Sequence, residues 1–208
     1  MIYSKNFIFS PFEENTYVLY DDLNNAIVID PGMENSHEEE EFSDFIKAKG
    51  LKITRILLTH AHLDHIFGLN YVAEKYKVNV AMHPDSIDVL RSAPIQAELY
   101  GFKLDLGDFK IEAIKEGDNV EFGLKALFVP GHVPGHLVFY KEDQKEMWAG
   151  DVLFRGSIGR TDLPGGDHNL LIKGIKSKIL TLDDDIVVHS GHGPDTFIGF
   201  ERKNNPFL

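Results

Sequence analysis

The stretch Thr59-His60-Ala61-His62-Leu63-Asp64-His65 decides how the rest of the chain is read. From His60 to His65 it carries three imidazoles and a carboxylate in the pattern H-x-H-x-D-H. Before it, Arg55-Ile56-Leu57-Leu58 reads as a buried strand; after it, Gly68 to Tyr76 reads as a helix. The cluster therefore falls where a strand ends and a helix begins, the position at which α/β sheets build sites. In an extended backbone residues i and i+2 point the same way, so His60 and His62 can grip one ion together. Asp64 continues that alternation and His65 breaks it, so a turn into the helix lets Asp64 and His65 face a second ion. Imidazole nitrogen and carboxylate oxygen are the usual ligands of zinc and of iron or manganese.

Working outward, the same arrangement recurs. Asn15-Thr16-Tyr17-Val18-Leu19-Tyr20 and Ala26-Ile27-Val28-Ile29-Asp30 read as a hairpin stopped by Pro31-Gly32. Asp30 then sits at a strand's carboxyl end, where it either orients the histidine loop through hydrogen bonds or simply ends the strand. In the second half, Leu127-Phe128-Val129 runs into Pro130-Gly131-His132-Val133-Pro134-Gly135-His136. Leu137 to Tyr140 and Glu146 to Ala149 form a second hairpin, followed by Gly150-Asp151. Asp185 to Val188 is the last predicted strand, ahead of His189-Ser190-Gly191-His192-Gly193-Pro194. His132, Asp151 and His192 thus join His60, His62, Asp64 and His65 as candidate metal ligands. His136 is a candidate to orient a ligand; His83, His189, His37 and His168 read as structural or surface histidines.

Helices separate these strands. The acidic run Glu38 to Glu41 reads as a solvated first turn, with Ser36 and Glu39 as a capping box and Gly50 as the left-handed stop. Asp167 caps a helix whose predicted apolar face is Leu170, Leu171, Ile175 and Ile179. Residues 84–110 are the least regular, with Pro94, Gly101 and Gly107 among scattered aromatics. They read as a loop or short helix, acting either as a lid over the site or as a satellite core. No linker or low-complexity stretch divides the chain, and one domain over residues 1–208 is expected.

Composition narrows the chemistry. With no cysteine among 208 residues, disulfides, thiolate ligands and cysteine nucleophiles are excluded together. The net charge of −12, from 33 acidic against 21 basic residues, argues against nucleic acid as a partner. No apolar run approaches the ~20 residues that cross a bilayer, so no membrane partner is expected. The N-terminus lacks a secretory pattern, and a cytoplasmic protein acting on a small-molecule substrate is the expectation. The oligomeric state is not written in the sequence.

Taken together, Asp30-Pro31-Gly32, the H-x-H-x-D-H loop, Gly131-His132, Gly150-Asp151 and Gly191-His192-Gly193 resemble the metallo-β-lactamase superfamily over nearly the whole chain. The resemblance implies an α/β (α+β) fold, a four-layer αββα sandwich. It implies a first metal on His60, His62 and His132, a second on Asp64, His65 and His192, and Asp151 between them. The cofactor would be two divalent ions, zinc foremost with iron or manganese as alternatives. Ions about 3.5–4 Å apart share a water and lower its pKa towards neutrality. The implied chemistry is hydrolysis by attack of a metal-bridging hydroxide on a carbonyl, with Asp64 steering the water.

Within the superfamily, Phe154-Arg155-Gly156-Ser157-Ile158-Gly159-Arg160-Thr161-Asp162 and Gly191-His192-Gly193-Pro194 resemble the glyoxalase II-like hydrolases, which cleave thioesters such as S-lactoylglutathione. The chain looks like their short branch, without the C-terminal helical extension that helps bind glutathione. Arg155 and Arg160 are the basic residues of this loop; they offer a grip for a substrate carboxylate, or Arg160 pairs with Asp162. The competing oxidoreductase reading is a persulfide dioxygenase, with one iron on His60, His132 and Asp151. A lactonase of the same fold is a further hydrolase reading. A closed structural zinc site would need only four ligands, not seven.

Overall fold

The computed structural model describes residues 1–208. They gather into two compact units, Met1–Met82 with Ile87–Ala113, and His83–Ser86 with Ile114–Leu208. No helix is long and apolar enough to cross a membrane.

The first unit contains β1 (Ile2–Phe9), β2 (Glu14–Asp21), β3 (Asn25–Ile29), α1 (Ser36–Lys49), β4 (Lys52–Leu57), α2 (Leu69–Tyr76), β5 (Val80–Met82), α3 (Ile87–Leu99) and β6 (Ile111–Ala113). All six strands form one sheet in chain order. The β1–β2–β3 part is antiparallel, and β3 to β6 run parallel. In β3 the run Ala26-Ile27-Val28-Ile29 is at most 1% exposed, as expected for strands of a parallel sheet covered on both faces. Ile29 pairs with Leu57, and Leu57 with Ala81, so β3, β4 and β5 end level with one another. Asp30 and the histidine loop after β4 leave the sheet from that shared edge.

The helix α1 forms because Phe42 and Ile46, one turn apart, are both buried against this sheet's core. Each contributes roughly 1.5–3 kcal/mol by leaving water. Its cap is one residue earlier than the sequence predicts: Asn35, not Ser36, accepts the amides of His37 and Glu38. The acid three residues on is then Glu38, which reaches back to the amide of Glu34 and across to that of Ser10. Gly50 ends the helix at φ +65°, as expected. The span expected to be irregular, 84–110, is half helix. Pro94 lies inside α3, which the burial of Leu90, Ala93 and Ala97 on one face holds together. Of the aromatics beyond it, Tyr100 is 66% exposed, whereas Phe102 packs on Phe12 and Phe67.

The second unit contains β7 (Asn119–Val120), β8 (Leu124–Phe128), β9 (Leu137–Lys141), β10 (Glu146–Gly150), β11 (Leu153–Phe154), β12 (Ser157–Ile158), α4 (His168–Gly174), β13 (Val187–Ser190), β14 (Thr196–Phe197) and α5 (Ile198–Asn204). Its main sheet has the order β14-β13-β10-β9-β8-β7, parallel only between β10 and β13. Asp167 caps α4 by accepting the Leu170 amide. Leu171, Ile175 and Ile179 are buried as predicted, but Leu170 is 41% exposed. Beyond Gly174 the helix widens, with the Leu180 amide bonding to Ile175 O. Leu170, about 100° round the helix from Leu171, falls off the face that Leu171, Ile175 and Ile179 bury. β14 and α5 lie beyond the last strand that the sequence reading predicts.

Candidate metal centre

In the first unit the histidine loop follows β4, turns through Leu63–His65 and enters α2. His60 and His65 are buried; His62 and Asp64 are partly exposed. The His60 ring lies 4.8 Å from that of His62 and 4.1 Å from that of His65, centroid to centroid. His65 Nε2 is 3.9 Å from Asp64 Oδ2. The four candidates of the loop are therefore clustered.

Asp30 organises them. Its Oδ1 accepts the Thr59 amide at 2.7 Å, and its Oδ2 accepts the Thr59 hydroxyl at 2.5 Å and His65 Nδ1 at 3.0 Å. The Thr59 hydroxyl has a single proton. With that proton directed at Asp30, Thr59 Oγ1 can only accept from His60 Nδ1, 3.0 Å away. Both imidazoles thus carry their proton on Nδ1 and their lone pair on Nε2, the arrangement by which outer carboxylates and hydroxyls aim metal-binding histidines. One donor atom each of Asp30, His60 and His65 lies within 4.8 Å of the others. Asp30 is nonetheless the orienting group, because both its oxygens are taken by protein donors. It does more than end a strand, and it holds a left-handed φ of +51° to do so.

Beneath this network sits Glu14, wholly buried at the start of β2 and passed over by the sequence reading, which begins that strand at Asn15. Burial pushes its carboxyl well above the usual carboxylate range, against the pull of the His65 ring. Its Oε1 is 3.7 Å from His65 Nδ1, and its Oε2 is 2.8 Å from the Thr16 hydroxyl. That hydroxyl also lies 2.8 Å from Asp30 O and accepts the Gly32 amide. A Cβ on Gly32 would stand 2.0 Å from Glu14 Oε2 and 2.6 Å from Asp64 O, so Pro31-Gly32 is a packing requirement as well as a turn. The only signal for Glu14 in the sequence is an acid opening an apolar strand.

In the second unit His132, Asp151 and His192 converge on one oxygen. Asp151 Oδ2 is 3.6 Å from His132 Nε2 and 3.7 Å from His192 Nε2. His132 Nδ1 donates to the carbonyl of Arg160 at 2.7 Å, which fixes a third lone pair on Nε2. Gly159 permits that approach, since a Cβ there would meet Asp151 O at 1.9 Å and His132 Nδ1 at 3.0 Å. His136, fully buried, accepts the Asp151 amide on Nε2 at 3.2 Å and so holds the backbone of a candidate ligand. His132, Asp151 and His192 line a cleft of about 540 Å³ together with Phe154, Arg155 and Arg160. Arg160 is committed to Asp162 through two bonds of 2.8 and 2.7 Å, and that pairing draws the Asp162 carboxyl down to about 2.

The remaining histidines have other partners. His83 stacks on Phe128 at 4.1 Å, and burial lowers its pKa. His189 stacks on Trp148 and lies 3.0 Å from Asp195. His37 and His168 are exposed in first helical turns. The donor set of both units is nitrogen and oxygen only, suited to zinc, iron or manganese.

Comparison with known proteins agrees with this chemistry. Residues 10–192 match the metallo-beta-lactamase superfamily. The probable metallo-hydrolase YqgX of Bacillus subtilis is 40% identical over 202 residues, spanning 95% of this chain and 93% of the relative. The hydroxyacylglutathione hydrolase GloC of Haemophilus influenzae is 36% identical over 208 residues, with 95% and 93% covered. Among solved structures, TTHA1623 in a di-iron-bound form superposes with a TM-score of 0.90 at 35% identity, over 98% of this chain and 100% of that one. With the mixed α/β elements, the histidine-aspartate clusters and these likenesses in agreement, the chain belongs to the metallo-β-lactamase superfamily and is a metal-dependent hydrolase of that fold.

Proposed function

We propose that this protein hydrolyses thioesters of the S-lactoylglutathione type, with the help of two divalent metal ions. The likeness to the hydroxyacylglutathione hydrolase GloC over 95% of the chain is the observation that carries the substrate class. The di-iron form of TTHA1623 supports a pair of ions in place of one. His60, His62 and His132 would hold one ion, Asp64, His65 and His192 the other, and Asp151 both. The three rings whose Nδ1 is already engaged fit this role, since each keeps Nε2 as its donor. When bound, a pair of divalent ions supplies an acidified water and a polarised carbonyl.

The protein's own residues do the rest. Asp64, partly exposed beside His65, accepts a hydrogen bond from the attacking water and sets its direction. Asp30 and the Arg160 carbonyl keep the imidazole protons on the outer nitrogens through the cycle. His136 holds the Asp151 backbone in place. The thiolate leaves without a protonated amine's need for an acid, since thiols ionise near pH 8.5. Zinc is the proposed resident ion and the cytoplasm the proposed compartment, with a small molecule as the only partner the reaction requires.

The test is to strip the protein with a chelator, reload it with zinc, iron or manganese, and assay S-lactoylglutathione beside simpler thioesters. Metal-dependent turnover of a thioester is expected. No thioester turnover with any of the metals would overturn the reading, as would about one iron per chain with oxygen consumption after anaerobic purification.

A further inference from the structure

The two arginines of the cleft are held in different ways. Arg160 is neutralised by Asp162. Arg155 has no carboxylate partner; its one contact is the ring of Phe200, 5.4 Å from its guanidinium carbon. In a chain with 33 acidic and 21 basic residues, a guanidinium left without an acid on the wall of the cleft is conspicuous.

It is also held in place. Arg155 and Gly156 are the two turn residues of the β11–β12 hairpin, in which Phe154 pairs with Ser157 and Leu153 with Ile158. Gly156 takes φ +71°, a conformation that suits glycine. Its amide donates to both carboxylate oxygens of Glu201, at 3.2 and 3.0 Å. Glu201 is itself fully buried and also accepts from Thr196 and Asn205, so the turn is tied to α5. Phe200 on the same helix supports the guanidinium face. The planar edge of Arg155, with its fork of N–H donors, is what remains available, and that fork matches a carboxylate with two parallel bonds.

We propose that Arg155 is the specificity residue of this cleft, recognising a free carboxylate on the substrate. The inference rests on the thioester reading and narrows it to thioesters bearing a carboxylate away from the scissile bond. A carboxylate can come from the thiol portion or from the acyl portion, and two matched pairs separate these sources. One is S-lactoylglutathione with its dimethyl ester; the other is S-succinyl-N-acetylcysteamine with its methyl ester.

The metal-loaded protein is expected to prefer the acid over the ester in one pair by about tenfold in kcat/KM. Arg155→Ala should abolish that preference through KM, leaving kcat and the turnover of the ester unchanged. Phe200→Leu, which keeps the charge and removes its support, should weaken the preference part-way. Equal turnover of acid and ester in both pairs, or an Arg155→Ala variant that slows acid and ester alike, would overturn the proposal. If the wild type hydrolyses none of the four compounds, the thioester reading fails. Calorimetric binding of the same intact compounds then decides the role of Arg155: tighter binding of an acid that Arg155→Ala abolishes supports it, and equal binding of acid and ester overturns it.

Discussion

The two units present metal-type donors by different means. In the first, the rings of His60 and His65 are fixed by side chains, and those side chains converge on one buried carboxylate, Asp30. In the second, His132 is fixed by a main-chain carbonyl and Asp151 through its own amide. The first cluster leaves a parallel sheet edge and is mostly buried; the second lines an open cleft beside two arginines. The contrast separates two tasks. The first unit concentrates orientation in one residue, so a single substitution should disable it. The second distributes orientation over backbone contacts, so its side chains are free to serve substrate recognition.

Asp30→Asn is the most severe way to challenge that contrast. The amide puts an NH2 group where the carboxylate accepts from the Thr59 hydroxyl or from His65 Nδ1. Metal affinity should fall about 10–100-fold in a competition titration. Stability should fall by roughly 3 kcal/mol in urea, from a buried donor left without its acceptor. An unchanged metal affinity would remove Asp30 from its central position. In the second unit Gly159→Ala should cost about 2 kcal/mol by the same measurement, because the nearest atom to its Cβ is backbone and cannot yield cheaply. A milder effect is expected for His136→Leu, about 1 kcal/mol and a smaller loss of metal affinity than Asp30→Asn causes. A loss as large as that of Asp30→Asn would show that the second unit is no more distributed than the first.

The smallest effect concerns acid sensitivity away from both clusters. Burial holds the His83 pKa below its ordinary value of 6.5, with Asp85 pulling it up and Lys115 pushing it down. A depressed folded pKa means that the contribution to stability is present above pH 6.5 and is lost as the pH falls through the folded value. His83→Phe keeps the stack on Phe128 and removes the titration. Its melting temperature should therefore fall less between neutral and mildly acidic pH than that of the wild type, and parallel melting curves would contradict the assignment.

Most of what positions the clusters was legible in the sequence, because each signal there is local. The H-x-H-x-D-H string lies between an apolar run and a helical one, and α2 spans Leu69–Tyr76 with Gly68 as its cap, within one residue of the predicted Gly68 to Tyr76. Gly50 and Asp167 end and begin helices as turn and cap chemistry requires. What escaped depends on contacts far along the chain or on helix geometry. Glu14 is identified only by having His65 and Asp30 packed against it. Asn35 takes the cap from Ser36 because Glu38 is also drawn to the Ser10 amide. Leu170 is exposed because it stands about 100° round the helix from Leu171, off the face that Leu171, Ile175 and Ile179 bury. Pro94 inside α3 shows that buried apolar contacts outweighed one lost backbone hydrogen bond.

The pre-set tautomers of His60, His65 and His132 have a consequence for the proton inventory of metal uptake. Metal binding to a folding-competent chain commonly expels protons from its ligands and is correspondingly steep in pH. Here Nδ1 of each of the three rings is already engaged by a protein acceptor, so the only ring proton an arriving ion would have to displace is one on Nε2, and the Nδ1 proton stays in place. Those three N–H protons are shielded from solvent by their acceptors. Nitrogen NMR of the chelated protein should find them in slow exchange, with the ring shifts of a single tautomer, before any metal is added.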